Sequence, residues 1–229
     1  MRSRCLRTKY LCLRYLRHSL SSPYLNQYGL TLLIMTISTV VSNFEVLVKR
    51  LIPPSVDIVG AGRTIIQGYF LTISNLNLSS PVTLRINFRA QTPNIPNPAV
   101  LAFFDVTGTN NVVNPTVIPS QPPTVRTYIV TIPAGDTGLF ILQANVTNPT
   151  VINNSNTEFR GYVTISLDEP VGNKSFDLLM TPEHRGTFLP KGYVVPSSSQ
   201  VMNLDFDQLA YALPTATPGN KFNLTQMNH

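Results

Sequence analysis

The chain has 229 residues, of which 43% are hydrophobic and 12% are charged, with 17 basic and 11 acidic side chains. This length allows one large β-domain or two small ones, each able to bury a core. An ordinary soluble domain is about 25% charged, so the polar surface here must come from Thr, Asn, Ser and Gln, which is typical of β-proteins.

Residues 1–34 carry the whole excess of positive charge. They contain six of the basic side chains and no acidic one, which leaves eleven of each sign in residues 35–229. Residues 35–229, which we call the body, are thus formally neutral and show no stripe of basic side chains. The sequence therefore predicts no nucleic-acid partner. Both cysteines, Cys5 and Cys12, also lie in this segment, so residues 35–229 can form neither a disulfide nor a zinc–thiolate site.

Three interpretations of the N-terminal segment are open. In the first interpretation the segment is a signal peptide, with an apolar core from Leu30 to Val41 and cleavage after Ser42. The protein is then secreted or part of the cell envelope. Alternatively it is an anchor or targeting arm, although its apolar run is shorter than the ~20 residues that span a bilayer, so no transmembrane span is predicted. In the third interpretation translation starts at Met35, residues 1–34 are not native, and the protein is cytoplasmic. We exclude residues 1–34 from the fold prediction.

Seven segments between residues 40 and 170 have the period-two alternation or the short apolar run that predicts a β-strand. In chain order they are SNFEVLVKRL, RTIIQGYFLTISNL, PVTLRINFRA, AVLAFFDV, TVRTYIVTI, LFILQANVT and EFRGYVTISLD. Gly68 interrupts the second segment and predicts a bulge or a bend. The fourth segment is apolar on both faces, which indicates a central or covered strand.

Turn-rich connections at short intervals join these strands and favour an all-β fold. We predict an antiparallel two-sheet β-sandwich, immunoglobulin-like or jelly-roll-like, as a single domain over residues 35–229 with its core strands at about 40–170. Residues 171–229 are predicted to be a C-terminal extension. Within it, QVMNLDFDQLAYAL and KFNL are expected to pair as a closing hairpin.

Catalytic signatures are weak in this sequence. A Ser-His-Asp triad would have to use His184, and no GxSxG motif accompanies it. Most acidic residues begin or end turns, where capping explains them. The pairs Asp205–Asp207 and Asp168–Glu169 are candidate calcium ligands, but no DxDxDG loop supplies the six to eight oxygens that calcium requires. We therefore predict no catalytic residues, no metal and no cofactor.

The sequence TPEHRG contains the densest group of charged and titratable side chains in the body. Pro182 and Gly186 bracket Glu183, His184 and Arg185, which predicts a tight turn held by a Glu183–Arg185 pair. An ordered turn is the favoured interpretation. The alternative is a recognition loop for an anionic or polar partner, with these three residues as the binding side chains.

A sugar-binding surface usually offers exposed aromatic rings. The chain has no tryptophan and its phenylalanines mostly occupy core positions, so tyrosines are the remaining candidates. The candidates are Tyr69, Tyr162, Tyr193 and Tyr211. Tyr162 is the strongest because it shares the outer face of its predicted strand with Arg160. The alternative is that Tyr162 covers the sheet or packs against another subunit.

Together these patterns favour a non-catalytic β-sandwich that serves as a structural or binding module and self-associates as a homo-oligomer. Two alternatives remain. The first is an exported surface or carbohydrate-binding module, with a polysaccharide or protein partner. The second is a hydrolase with a carboxylate or calcium-assisted site.

Overall fold

The computed structural model describes residues 34–52, 62–95, 99–119, 121–168, 175–190, 193 and 206–228. Strands account for nearly all of the regular structure in these residues. The elements are β1 (Ile34–Thr36), β2 (Thr39–Arg50), β3 (Thr64–Asn75), β4 (Val82–Arg89), β5 (Val100–Asp105), β6 (Asn111–Val112), β7 (Val125–Ile132), β8 (Thr137–Ala144), α1 (Pro149–Asn154), β9 (Asn156–Leu167), β10 (Ser175–Phe188), β11 (Asp207–Ala212) and β12 (Lys221–Asn228).

The strands form one antiparallel sheet that branches at β3. One edge of β3 pairs with β10 along almost its whole length. The other edge pairs with β2 through Thr64–Gln67 and with β8 through Tyr69–Ser74. Two arms therefore leave β3: arm A continues as β2, β9, β4 and β7, and arm B continues as β8, β5 and β6. The sheet curls into an open half-barrel.

Gly68 lies at the branch point, between the last residue that pairs with β2 and the first that pairs with β8. A Cβ at this position would lie 3.1 Å from the Leu142 carbonyl oxygen and 3.1 Å from the Gln143 Cβ. The predicted bulge at Gly68 is not present on the β10 side, where pairing is continuous; the register shift is in β2, between Val40 and Ser42. Glycine suits position 68 because β8 approaches its backbone closely, so that a side chain there would press on Leu142 and Gln143.

The core lies between the inner faces of the two arms. Alternate residues of β4, β7 and β9 in arm A and of β8 and β5 in arm B contribute to a single buried cluster. At its centre are edge-to-face and stacked rings: Phe88 lies 5.1 Å from Phe44, 5.6 Å from Tyr69 and 5.6 Å from Phe140, centre to centre. Burying a ring of this size stabilises the fold by about 1.5–3 kcal/mol.

All seven predicted strands are strands in the structure, so the prediction of an antiparallel all-β fold is confirmed. The finer prediction of two separate packed sheets is not, because β3 is hydrogen-bonded to both arms and makes the sheet continuous. The apolar segment AVLAFFDV is β5, which has β8 on one edge and the two-residue β6 on the other.

The predicted tight turn at TPEHRG is wrong. Together with Ser175, FDLLM and TPEHRGTF form one continuous strand, β10, of 14 residues. Turn residues bracket the charges in the sequence, but β10 has a partner on both edges at this point, β3 and β11. Two complete sets of ladder hydrogen bonds outweigh the weak local preference for a turn.

The predicted C-terminal hairpin is also wrong, because β11 and β12 do not pair with each other. β11 pairs with Glu183–Phe188 and β12 with Ser175–Leu179, on the same edge of β10. The two strands thus follow one another along β10, and residues 213–220 loop out between them. The loop is held by a hydrogen bond of 2.8 Å from the Ala216 N–H to the Val41 carbonyl.

Candidate functional site

Strand β10 separates the three residues of the TPEHRG group, because alternate side chains of a strand point to opposite faces. His184 is on the inner face and only 5% exposed. Glu183 and Arg185 are on the outer face, where the Arg185 Nη2 lies 2.8 Å from the Glu183 Oε2. The structure confirms the Glu183–Arg185 pair, but the three side chains do not form one site.

His184 is a satisfied buried histidine. Its Nε2 accepts a hydrogen bond of 2.9 Å from the Glu45 N–H, and its Nδ1 lies 2.9 Å from the Tyr211 hydroxyl oxygen. A backbone N–H can only donate, so Nε2 carries no proton, and in the neutral ring Nδ1 donates to Tyr211. Burial lowers the pKa of His184, which keeps the ring neutral near pH 7.

A polar network continues from His184 across three neighbouring strands. The Gln67 Nε2 donates to the Glu45 Oε2 at 3.2 Å. Burial and the Glu45 charge raise the pKa of Tyr211, and a hydrogen bond with Gln67 opposes them. This arrangement links β10, β11, β3 and β2 by side-chain and backbone hydrogen bonds, which gives the buried polar groups the partners they require.

The inner network does not assemble a serine nucleophile with a base. The buried Ser42 hydroxyl lies 2.9 Å from the hydroxyl of Tyr69, and both ring nitrogens of His184 are bonded to other groups. Tyr69 is fully buried, and burial raises its pKa. The prediction of Tyr69 as a sugar platform is therefore wrong: its ring packs in the aromatic core against Phe44 and Phe88.

A groove of about 500 Å³ crosses the outer face of β8, β3, β10 and β11. Gly68 and Gly186 form part of its floor, and Gln143 and Gln208 are among its lining residues. The Arg185 guanidinium lies 4.8 Å from the centre of the Phe70 ring, which holds it against the sheet by a cation–π contact. The Arg185 guanidinium thus already forms an ion pair with Glu183 and a cation–π contact with Phe70.

A second outer cavity, which we call the Arg89–Tyr162 pocket, has a volume of about 430 Å³. It lies at the end of β4, the turn that follows, the start of β7 and the middle of β9. Its lining residues are Arg89, Ala90, Gln91, Thr92, Thr124, Val125, Arg160, Gly161 and Tyr162. The structure therefore brings the two predicted residues Arg160 and Tyr162 to one cavity.

Arg89 is the side chain that sequence reasoning missed. It pairs directly with Tyr162 in the β4–β9 register, although 73 positions separate them in the chain. The alternation of PVTLRINFRA places Arg89 on the outer face, but only the register brings it beside Tyr162. Within the described part of the chain, Arg89 has no ion-pair partner, whereas Arg160 is bonded to Glu158 and lies 3.8 Å from Glu45.

The backbone brings β4 and β9 unusually close beneath this pocket. A Cβ on Gly161 would lie 1.8 Å from the Arg89 carbonyl oxygen and 3.1 Å from the Phe44 ring. No other residue fits at position 161 without moving a strand. The glycine therefore fixes how Arg89 and Tyr162 stand relative to each other.

Only one member of each candidate calcium pair lies within the described residues. Asp168 is bonded to Arg85 and Asp207 to Arg63; Glu169 and Asp205 lie outside the described residues. No three His, Cys, Asp or Glu side chains of the described ranges come together as a metal site. In the same ranges, no helix is long and apolar enough to cross a membrane.

Of the other predicted tyrosines, Tyr211 belongs to the His184 network and is 47% exposed. Tyr193 makes an edge-to-face contact with Phe206 at 5.8 Å. Neither lies in the Arg89–Tyr162 pocket.

Comparison with known proteins gives no match: no family model matches the chain, and neither a curated protein nor a solved structure shows significant similarity to it.

Proposed function

We propose that this chain is a non-catalytic binding module of β-sandwich type that self-associates through the free edge of β7. The main support for this proposal is that backbone groups along that edge are free to form hydrogen bonds. The Thr127 carbonyl accepts a hydrogen bond of 2.8 Å from the Thr116 N–H, so the odd-numbered residues of β7 direct their backbone groups away from β4. Within the described residues, only Thr116 pairs on this side, which leaves Ile129 and Thr131 available.

This edge lacks the usual protection against pairing. Natural sheets guard an exposed edge with charged side chains, prolines or bulges. Residues 128–132 of β7, YIVTI, contain no charge and no proline, and their pairing with β4 is regular. A second copy can add its own β7 antiparallel to the first, which gives a two-fold symmetric dimer.

Charge does not oppose this contact. Residues 35–229 carry eleven basic and eleven acidic side chains, so two copies do not repel one another through net charge. Sedimentation velocity at micromolar concentration should therefore detect a dimer or a larger species.

Thr131→Lys tests the edge directly, because a lysine beside the free backbone groups disfavours strand addition. We expect this variant to sediment as a monomer. Thr83→Lys is the matched control. It adds the same charge and removes the same Thr83–Thr131 hydroxyl bond of 3.0 Å, but from β4, inside the sheet. A strictly monomeric wild-type chain, or an equal effect of the two lysines, contradicts the proposal.

A hydrolase is the weaker alternative. Its base would be His184, and both ring nitrogens of this residue are occupied by the Glu45 N–H and Tyr211. The carbohydrate-binding alternative has a specific cavity in its favour and is developed below.

A further inference from the structure

We propose that the Arg89–Tyr162 pocket binds an acidic sugar, a pyranose ring that bears a carboxylate, with Arg89 as the anion contact and Tyr162 as the face on which the ring stacks. This inference rests on the binding part of the proposed function and is independent of self-association. It concerns one cavity on the outer face of arm A.

The first argument is the charge of the pocket. Two guanidinium groups line it, but they are not equivalent. Arg160 is neutralised by Glu158 and lies near Glu45, whereas Arg89 has no ion pair among the described residues. A planar guanidinium without a partner forms two parallel hydrogen bonds to a carboxylate, and such charge-assisted bonds are about twice as strong as neutral ones.

The second argument is the aromatic surface. Tyr162 is 43% exposed and sits directly opposite Arg89 in the β4–β9 register. A ring beside a cation in one pocket suits a ligand that has both an apolar ring face and an anionic group. A free inorganic anion would use Arg89 alone and would leave Tyr162 without a role.

The third argument is the rest of the lining. Gln91, Thr92 and Thr124 are neutral side chains with both donor and acceptor capacity. Groups of this kind match the hydroxyls of a sugar, which also donate and accept. The cavity, at about 430 Å³, lies within the range of about 300–1,000 Å³ that is usual for small-molecule sites.

The site is also held in position without a ligand. Gly161 permits the close approach of β9 to the Arg89 carbonyl, and Glu158 and Glu45 hold the Arg160 guanidinium. Less ordering is therefore required when a ligand binds, which favours affinity.

Isothermal titration calorimetry with the full chain tests the proposal with four probes: trigalacturonate, its fully methyl-esterified form, inorganic phosphate and adenosine monophosphate. The ester keeps the rings and removes the negative charge. We expect trigalacturonate to bind and the ester to bind at least about tenfold more weakly, the factor that a lost charge-assisted hydrogen bond implies. We expect binding of trigalacturonate to weaken as salt is raised.

Variants then assign the residues. Arg89→Gln should lower the affinity for trigalacturonate by about tenfold to a hundredfold while leaving the weak binding of the ester unchanged. Tyr162→Ala should lower the affinity for both sugars, whereas Tyr162→Phe should bind both as the wild type does. Arg50→Gln is the matched control. Like Arg89, Arg50 has no ion pair among the described residues, but it lies at the end of β2 and does not line this pocket. Each variant should melt like the wild type, because all three positions are on the sheet surface.

Four results overturn the assignment: no binding of trigalacturonate, equal binding of acid and ester, tighter binding of phosphate or adenosine monophosphate than of the acidic sugar, or an Arg89→Gln variant that binds like wild type. Self-association is measured by sedimentation and the pocket by calorimetry. Failure of one therefore does not imply failure of the other.

Discussion

At the scale of single residues, His184 is a structural residue whose two ring nitrogens connect strands. The TPEHRG sequence suggests that His184 matters least in its group and that each alanine substitution there costs about 1 kcal/mol or less. From the structure we expect the opposite for His184, since the side chain is buried and both its nitrogens are bonded.

His184→Ala should lower the free energy of unfolding by about 3 kcal/mol, because it leaves a cavity and removes the partners of the Glu45 N–H and the Tyr211 hydroxyl. Arg185→Ala, on the outer face of the same strand, should cost about 1 kcal/mol or less. Urea denaturation monitored by circular dichroism measures both. An equal, small loss in the two variants would contradict the network.

His184 should also make stability depend on pH. Its folded-state pKa is lowered by burial, while in the unfolded chain it is about 6.5. The unfolded state therefore binds the proton more readily, so the contribution is complete above pH 6.5 and is lost as the pH falls below that value.

Denaturation midpoints at pH 7.5 and pH 5.5, for wild type and His184→Gln, isolate this effect. The glutamine does not titrate, and all other groups, including the nearby Glu45 and Arg160, are common to both proteins. Wild type should lose stability relative to His184→Gln by up to about 1.4 kcal/mol per pH unit below 6.5. Parallel pH profiles would show that His184 is not the titrating group.

At the scale of elements, the start of β2 sets how far the N-terminus can be shortened without loss of the folded sheet. Cleavage after Ser42 would cut inside β2, which pairs with β9 from Thr39 onward. Val41 is 0% exposed and Ser42 bonds to Tyr69. A chain shortened to Asn43 therefore lacks part of β2, whereas a chain shortened to Met35 retains β2 whole.

A chain that begins at Met35 should have the same melting temperature as the full chain within error, because it keeps β2 and two of the three β1–β12 pairs. A chain that begins at Asn43 should be less stable by about 3 kcal/mol or more, since it loses a buried valine and the Ser42–Tyr69 hydrogen bond. Thermal melting of the three proteins makes the comparison. A large loss in the Met35 protein would mean that residues before 35 contribute to the fold.

At the scale of the whole molecule, β3 couples the two arms because it belongs to both. Opening either arm exposes the same aromatic core, in which Phe88 of β4 stacks on Phe140 of β8. We therefore expect the most protected amides of β9 in arm A and of β8 in arm B to exchange through a single global unfolding event.

Native-state hydrogen exchange in increasing denaturant measures this coupling. The opening free energies of the two arms should converge on the same value as the global free energy of unfolding. The outer edges β6 and β7 should exchange sooner. Distinct plateaus for β8 and β9 would show that the arms are independent units.

The local features of this protein can be predicted from its sequence. The period-two alternation in segments such as PVTLRINFRA identified seven strands and their inner faces, because which face is buried depends only on parity within a strand. It also placed Tyr162 and Arg160 on one outer face, and it identified the Glu183–Arg185 pair, whose members are two positions apart.

Which strands become neighbours depends on contacts between segments that are far apart in the chain. Hydrogen bonds between distant segments produce three features that no local pattern specifies. These are the branch at Gly68, the extended form of TPEHRG between β3 and β11, and the pairing of β11 and β12 with successive stretches of one edge of β10. Local propensity is a few tenths of a kcal/mol per residue and is overridden by ladder pairing and burial. For the same reason the neighbour of Tyr162 could not be predicted. Arg89 lies opposite Tyr162 only because of the β4–β9 register, which no pattern within either strand specifies.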